Sequence, residues 1–370
     1  MSESNELEKF QMYIKMKKLS SKLSPTGREA ALITNETNIR YFTDFPNSEG
    51  SLFVTRDKAY LLVDSRYGEA AQNKVTNAEV VVYEKYYDTL SKLILEYEIR
   101  DLLIEADSMT VSSLMNLQKK TEDTGCRIMP NDRLDKLIVA QRIVKSKGEI
   151  EKMRRAQQIT EEALTELLNM VKPGVKESQL AFELEFLMRK KGAEGISFDL
   201  ITITGKNTSM PHGVPGDTEV RNGDFVTFDI GALYEGYHSD MTRTYAVGQV
   251  SDEQREVYET VLRSQLAGLA KVRAGIKAYD VDRTSRAVIA RAGYGEYFRH
   301  STGHGVGLDI HEEPFVSARG ETLLSEGMVI TVEPGIYLPG KFGVRIEDMV
   351  VVTKDGCDNL ATLPKELTIL

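Results

Sequence analysis

The first 140 residues alternate short apolar runs with stretches in which apolar residues recur at helical spacing. The apolar runs predict five strands, at residues 30–33, 51–55, 59–63, 80–83 and 102–105. The helical spacing predicts three helices, at residues 87–97, 109–119 and 132–140. Arg56, Asp57 and Lys58 suit a hairpin turn between the second and third strands. This alternation is typical of an α/β domain, and the segment contains no histidine.

A change of pattern near residue 144 predicts a domain boundary. The charged stretch at residues 144–149 leads into an amphipathic helix at about residues 149–170, which Pro173 and Gly174 end. We therefore expect two domains, at residues 1–143 and 144–370, and an α+β fold class overall.

Composition and charge argue against several classes of protein. The 370 residues carry a net charge of −9, which disfavours binding to nucleic acid or to an anionic membrane. No apolar run reaches the roughly 18 residues of a membrane span, and the charged N-terminus lacks the apolar core of a signal peptide. Cys126 and Cys357 are far apart and form no metal-binding pattern, so we expect a cytoplasmic protein without disulfides.

The second half of the chain contains a faint internal repeat that carries acidic residues. Residues 223–231 (GDFVTFDIG) are echoed at residues 327–335 (GMVITVEPG), and Asp240 is echoed by Glu347. Two copies of so long a unit predict two halves related by a pseudo-two-fold axis rather than a solenoid. In each half, a carboxylate ends an apolar strand, and a second carboxylate follows shortly after it.

A carboxylate at the end of a buried strand is costly unless it is paired or binds a metal ion. Period-two alternation puts Thr227 on the face of Asp229 and Thr331 on the face of Glu333, where the hydroxyls can orient the carboxylates. The alternative is that each carboxylate caps a helix or pairs with an arginine. Two arginines are candidates for that pairing, Arg243 and Arg345.

All five histidines lie in this same part of the chain, at His212, His238, His300, His304 and His311. Glycines on both sides of His304 allow close backbone approach, and prolines hold His212 in a rigid turn. His238 is as readily an ordinary structural histidine. Four carboxylates with one imidazole suit manganese, iron, cobalt or zinc and can hold two ions. Two such ions activate water for hydrolysis, so the sequence predicts a hydrolase.

Four motifs resemble those of the pita-bread metallopeptidases, which include methionine aminopeptidase, aminopeptidase P, prolidase and creatinase. The motifs are FDIGALYEGYHSDMTRT, STGHGVGLDIHE, TVEPGIY and VRIEDMVVV. The resemblance implies a pita-bread catalytic domain whose metal ligands fall at Asp229, Asp240, His304, Glu333 and Glu347. Residues 38–45 resemble the start of the N-terminal domain that aminopeptidase P, prolidase and creatinase share and that methionine aminopeptidases lack.

The resemblance implies an Xaa-Pro peptidase, either a dipeptidase or an aminopeptidase, that acts on short proline-containing peptides as a homodimer. Its cofactors would be two divalent ions, Mn²⁺ first, with Co²⁺, Zn²⁺ or Fe²⁺ as alternatives. Glu333 would act as general base, and His212 and His311 would hold the substrate and the developing oxyanion. Three further residues would contact the substrate, namely His300, Arg345 and Arg319, the last by meeting the carboxylate of a dipeptide.

Two other functions are considered. One is a creatinase-like hydrolase of a small amide or guanidino compound, and the other is a binding protein with a relict site. Creatinase and the non-catalytic relatives have lost metal ligands, so the intact set of five argues against both.

Overall fold

The computed structural model describes residues 3–46 and 49–370. The chain divides into two compact units, Met1–Arg142 and Ile143–Leu370. No helix within the described ranges is long and apolar enough to cross a membrane. Cys126 and Cys357 are both free thiols.

The N-terminal unit is an α/β domain. Its helices in the described part of the chain are α1 (Glu3–Ser20), α2 (Glu36–Thr43), α3 (Gly68–Lys74), α4 (Tyr86–Glu96), α5 (Val111–Thr121) and α6 (Arg133–Arg142). Its strands there are β1 (Glu29–Ile33), β2 (Ser51–Val54), β3 (Ala59–Val63), β4 (Glu79–Val82), β5 (Asp101–Ile104) and β6 (Arg127–Met129). They form one sheet in the order β4-β3-β2-β1-β5-β6, which is antiparallel from β1 to β3 and parallel elsewhere.

The predicted elements of this unit agree with the structure to within two residues at each end. The predicted hairpin is also confirmed, since the Thr55 amide donates to the Lys58 carbonyl at 2.8 Å. The prediction missed α1, α2, α3 and β6. The two short helices α2 and α3 have eight and seven residues, too few turns for a helical period to stand out. In α1, acidic and basic residues occur throughout and leave no clear apolar stripe.

The second unit contains the internal repeat. Its helices among the described residues are α7 (Lys147–Leu167), α8 (Glu177–Lys190), α9 (Asp252–Lys271) and α10 (Ala278–Arg291). The strands of its first half are β7 (Gly195–Ile196), β8 (Ile201–Thr204), β9 (Phe225–Ile230), β10 (Ala232–Tyr234), β11 (Tyr237–His238) and β12 (Met241–Ala246). Those of its second half are β13 (Gly303–Gly305), β14 (Glu312–Val316), β15 (Val329–Val332), β16 (Gly335–Leu338), β17 (Phe342–Arg345), β18 (Asp348–Val352) and β19 (Cys357–Asn359).

The predicted helix at residues 149–170 is α7 followed by a short 3₁₀ turn at Leu168–Met170. It begins two residues early because Ser146 is its N-cap: the Ser146 hydroxyl accepts from the Glu149 amide, and the Glu149 carboxylate accepts from the Ser146 amide. In the second half, Ser251 and Gln254 cap α9 in the same way.

Both halves have the same plan, a pair of helices followed by a strand, a hairpin and a returning strand. In the first half β9 leads through the β10–β11 hairpin to β12, and β12 pairs antiparallel with β9. In the second half β15 leads through the β16–β17 hairpin to β18, which pairs antiparallel with β15. Each hairpin thus lies between the end of one strand and the start of the returning strand. The four carboxylates of the repeat lie at these four points, the ends of β9 and β15 and the starts of β12 and β18. This arrangement confirms the predicted duplication.

Candidate active site

The repeated strands bring the five predicted ligands to one cleft. Asp229 lies in β9, Asp240 immediately before β12, His304 in β13, Glu333 immediately after β15 and Glu347 immediately before β18. All five line a cavity of about 600 Å³, together with His212, His300, His311 and Arg345. Sequence positions more than a hundred residues apart thus meet because the two strand-hairpin-strand units converge.

His304 is oriented as a ligand. Its Nδ1 lies 3.0 Å from the Gly305 carbonyl, which can only accept, so Nδ1 carries the proton and Nε2 presents its lone pair. Nε2 faces two carboxylates, with Asp240 Oδ2 at 3.5 Å and Glu333 Oε1 at 3.4 Å. Three sets of lone pairs therefore point into one small volume.

The carboxylates fit divalent metal ions. One ligand atom from each of Asp240, His304 and Glu347 lies within 4.8 Å of the others. Asp229 Oδ1 is buried and accepts no hydrogen bond from the described residues. A buried oxygen without a donor is costly, and a cation would satisfy it. Oxygen donors with one imidazole suit a hard or intermediate divalent ion.

The electrostatics of the site show the same need for positive charge. Burial raises the pKa of Asp240 and of Glu347 well above the usual range, and the neighbouring carboxylates raise both further. Burial raises the pKa of Glu333 to about 7. Burial also lowers the pKa of His304, so its imidazole is neutral, as metal binding requires. Without cations, these carboxyls would hold protons instead.

Threonine hydroxyls orient two of the carboxylates. Thr331 Oγ1 donates to Glu333 Oε1 at 3.1 Å and accepts from the His304 amide at 3.1 Å, as predicted for its face of the strand. The corresponding expectation for Thr227 was wrong, because its hydroxyl pairs with Thr244 Oγ1 at 3.1 Å. Thr242, which the sequence reasoning missed, donates instead to Glu347 Oε2 at 2.7 Å.

Arg345 is buried and linked to several groups of the site. Its Nη2 donates to Asp229 Oδ2 at 2.6 Å, its Nη1 to the Tyr337 hydroxyl at 2.7 Å, and its Nε to Thr242 Oγ1 at 3.0 Å. Arg345 therefore does pair with a carboxylate, as the alternative interpretation expected, but this pairing leaves the other three carboxylates and Asp229 Oδ1 available to a metal ion. Arg243 does not pair with any of the four carboxylates; it donates to Asp348 Oδ1 at 2.8 Å, where Lys365 also binds.

Tyr337 connects Arg345 to His300. The Tyr337 hydroxyl lies 2.9 Å from His300 Nε2, while His300 Nδ1 lies 2.8 Å from the Ser301 carbonyl and therefore carries the proton. Burial lowers the pKa of His300 to about 4 and raises that of Tyr337 to about 12. Tyr337 was missed as a site residue, although it lies in the TVEPGIY motif that the sequence singled out.

Of the other predicted residues, two line the cleft and two do not. His212 and His311 are exposed side chains on the cleft wall, and the His311 ring packs against His304 with centroids 4.3 Å apart. Burial lowers the pKa of His311. His238 lies in β11, and Arg319 lies exposed in the loop after β14. Neither of these last two is among the described residues that line the cleft.

We expect the metal-free protein to lose stability as pH rises above about 6.5. Between about pH 4 and 6.5 the raised carboxyl pKa values and the lowered histidine pKa values act in opposite directions. Above about pH 6.5 the histidines of the unfolded chain lose their remaining protons and are nearly all neutral by about pH 7.5, whereas the folded carboxyls still hold protons that the unfolded chain has released. Stability should then fall by up to about 1.4 kcal/mol per pH unit for each such carboxyl.

The measurement is the urea midpoint of chelator-treated protein between pH 6.5 and 8, with and without Mn²⁺. Bound ions replace the protons, so Mn²⁺ should raise the midpoint and flatten its pH dependence. Glu347→Gln should reduce the slope of the metal-free protein, and Glu326→Gln, at an exposed carboxylate before β15, should leave it unchanged. A metal-free midpoint that rises with pH in this window would contradict the charge arrangement described above.

Comparison with known proteins agrees with this site. The profile of metallopeptidase family M24 matches residues 151–354, and that of the creatinase/prolidase N-terminal domain matches residues 15–144. The Xaa-Pro dipeptidase of Pyrococcus horikoshii is 38% identical, over 95% of this chain and 98% of its own length.

Solved structures show the same fold from end to end. An Xaa-Pro dipeptidase from Bacillus anthracis is 40% identical with a TM-score of 0.92, covering 97% of this chain and 100% of its own. An X-Pro aminopeptidase from Thermotoga maritima is 37% identical with a TM-score of 0.87, covering 93% of this chain and 98% of its own. The predicted α+β architecture and the resemblance seen in the motifs are confirmed. The protein belongs to metallopeptidase family M24 and carries a creatinase/prolidase N-terminal domain before its peptidase domain.

Proposed function

We propose that the protein hydrolyses Xaa-Pro bonds in short peptides, using two divalent metal ions. The observation that carries this proposal is the convergence of four carboxylates and the His304 lone pair on one cleft, with an unsatisfied buried oxygen on Asp229. The names of the relatives, which include both Xaa-Pro dipeptidases and an X-Pro aminopeptidase, support the substrate class.

The two ions would be held by Asp229, Asp240, His304, Glu333 and Glu347. We propose Mn²⁺ as the native ion, with Co²⁺, Zn²⁺ or Fe²⁺ as alternatives, because carboxylate oxygens dominate the ligand set. When bound, such ions lower the pKa of the attacking water and polarise the scissile carbonyl.

Glu333 is suited to move the proton of the attacking water. Thr331 holds its carboxylate from one side, and Pro334 follows it directly and restricts the backbone. Glu333 would accept the proton from water and deliver it to the leaving prolyl nitrogen.

The exposed histidines would bind the peptide. His212 and His311 face the cleft and can donate hydrogen bonds to the carbonyl oxygen as negative charge develops on it. His300 and Arg345 would act mainly by position, since Tyr337 joins them and Arg345 holds Asp229. The role predicted for Arg319 stays a prediction.

A metal and substrate panel tests the proposed function. We expect chelation to abolish hydrolysis of Xaa-Pro peptides and Mn²⁺ or Co²⁺ to restore it, because no other group in the described cleft replaces their charge. The panel should contain Xaa-Pro dipeptides, Xaa-Pro-Yaa tripeptides and creatine, with proline or creatine breakdown as the readout. Full turnover by metal-free protein would refute metal dependence, and turnover of creatine alone would favour the creatinase-like alternative.

Replacement of the proposed base is a second test. Glu333→Gln keeps the size of the side chain and one oxygen donor but cannot accept the proton, so kcat should fall at least about a hundredfold. The exposed Glu326→Gln serves as the matched control and should keep full activity. Metal content of both variants should be measured under saturating Mn²⁺. If Glu333→Gln retains both ions and loses less than about tenfold in kcat, the base is another group.

We also propose a cytoplasmic homodimer, in which each N-terminal domain lies near the partner's catalytic cleft. Among its described residues, the N-terminal unit has no cluster of three or more His, Cys, Asp or Glu side chains that could hold a metal ion. Shaping the partner's cleft is therefore a reasonable role for it. Sedimentation at micromolar concentration should give twice the 41.5 kDa chain mass. An active monomer under these conditions would exclude this arrangement.

A further inference from the structure

We infer that the cleft prefers Xaa-Pro-Yaa peptides, in which an uncharged amide follows the proline, over free Xaa-Pro dipeptides. The inference rests on the proposed function and concerns the group after the proline. In a dipeptide this group is a carboxylate, whereas in a longer peptide it is an amide. The names of the relatives leave the choice open, since they include dipeptidases and an aminopeptidase.

The first observation is the shortage of free positive charge in the cleft. Arg345 is the single arginine or lysine among the described residues that line it. Its side chain is only 5% exposed, and its nitrogens already donate to Asp229, Tyr337, Thr242 and the Pro211 carbonyl. A peptide carboxylate is normally met by a guanidinium or ammonium group, and Arg345 already uses four of its five N–H donors within the protein.

The second observation is the negative charge on the wall. Asp199 lines the cleft and is exposed, outside the group of carboxylates that face His304. Two divalent ions would neutralise Asp229, Asp240, Glu333 and Glu347, and Arg345 would add one positive charge. With Asp199 the charges of the lining residues and the two ions cancel, so the carboxylate of a dipeptide meets no net positive charge in the cleft.

The third observation is the apolar rim. Val214 is 83% exposed and Phe315 is 46% exposed, and both line the cleft with Phe198. Such exposed apolar side chains can cover a further residue of a longer peptide, whereas they desolvate a carboxylate without pairing it. The cavity volume of about 600 Å³ lies well within the range of sites that hold drug-sized ligands.

The test compares three substrates of the Mn²⁺-loaded full-length protein: Ala-Pro, its amide Ala-Pro-NH₂, and Ala-Pro-Ala. The amide has the size of the dipeptide but no terminal charge, so it separates charge from length. We expect kcat/KM for both Ala-Pro-NH₂ and Ala-Pro-Ala to exceed that for Ala-Pro by about tenfold or more, the value of one charge-assisted contact.

A variant supplies the missing cation. Phe315→Arg places a guanidinium on the cleft wall at a half-exposed position. It should raise kcat/KM for Ala-Pro relative to Ala-Pro-NH₂ by about tenfold. Phe182→Arg is the matched control, because Phe182 is 74% exposed on α8 and is not among the described residues lining the cleft. The control should keep the wild-type preference.

The outcomes separate the inference from the proposed function. Hydrolysis of Ala-Pro at least as efficient as that of Ala-Pro-NH₂ and Ala-Pro-Ala would overturn the inference and leave an Xaa-Pro peptidase. An unchanged substrate ratio in Phe315→Arg, with wild-type activity retained, would overturn the part assigned to the missing cation. Failure to cleave any of the three, with both ions bound, would overturn the proposed function and the inference together.

Discussion

The catalytic unit depends on the burial of four carboxylates around one imidazole. Carboxylates that lie next to one another in a buried site cannot all stay ionised unless cations share the site. The raised pKa values of Asp240, Glu333 and Glu347 express that conflict, as does the unsatisfied oxygen of Asp229. Divalent ions held by these carboxylates and His304 would remove the conflict, and they would supply the chemistry of a hydrolase when bound. The clustered carboxylates therefore account both for the electrostatic repulsion in the metal-free protein and for the ability of the site to bind catalytic ions.

The internal repeat is the structural means by which the chain assembles this site. A strand, a hairpin and a returning strand hold one carboxylate at each side of the hairpin, and two such units supply all four. Rigid paired strands fix the carboxylates more firmly than loops would, which matters where like charges must be held together. His304 enters from β13, which pairs with β15 through Gly305 and Ile330.

Hydrogen-bond donors, two hydroxyls and one guanidinium, then fix three of the four carboxylates. Thr331 binds Glu333, Thr242 binds Glu347, and Arg345 binds Asp229. Arg345 uses four of its five N–H donors within the protein, and its side chain is buried. These contacts, which include the one that orients Asp229, therefore take up most of the hydrogen-bonding capacity of the one arginine among the described residues that line the cleft.

The sequence alone indicated the chemistry of a metal-dependent hydrolase, because residue type and the burial of a short segment depend on neighbouring residues. The apolar runs before Asp229 and Glu333 and the glycines around His304 are visible in the sequence itself. It also determined the duplicated halves and most strands of the N-terminal unit. Only the tertiary structure decided which side chains form hydrogen bonds and ion pairs with one another. Thr244 rather than Asp229 bonds to Thr227, Asp348 rather than one of the four cleft carboxylates pairs with Arg243, and Arg319 is not among the described residues that line the cleft. These contacts join groups from different strands or place loops, so they follow from strand register and loop path, which the local pattern of residues does not specify.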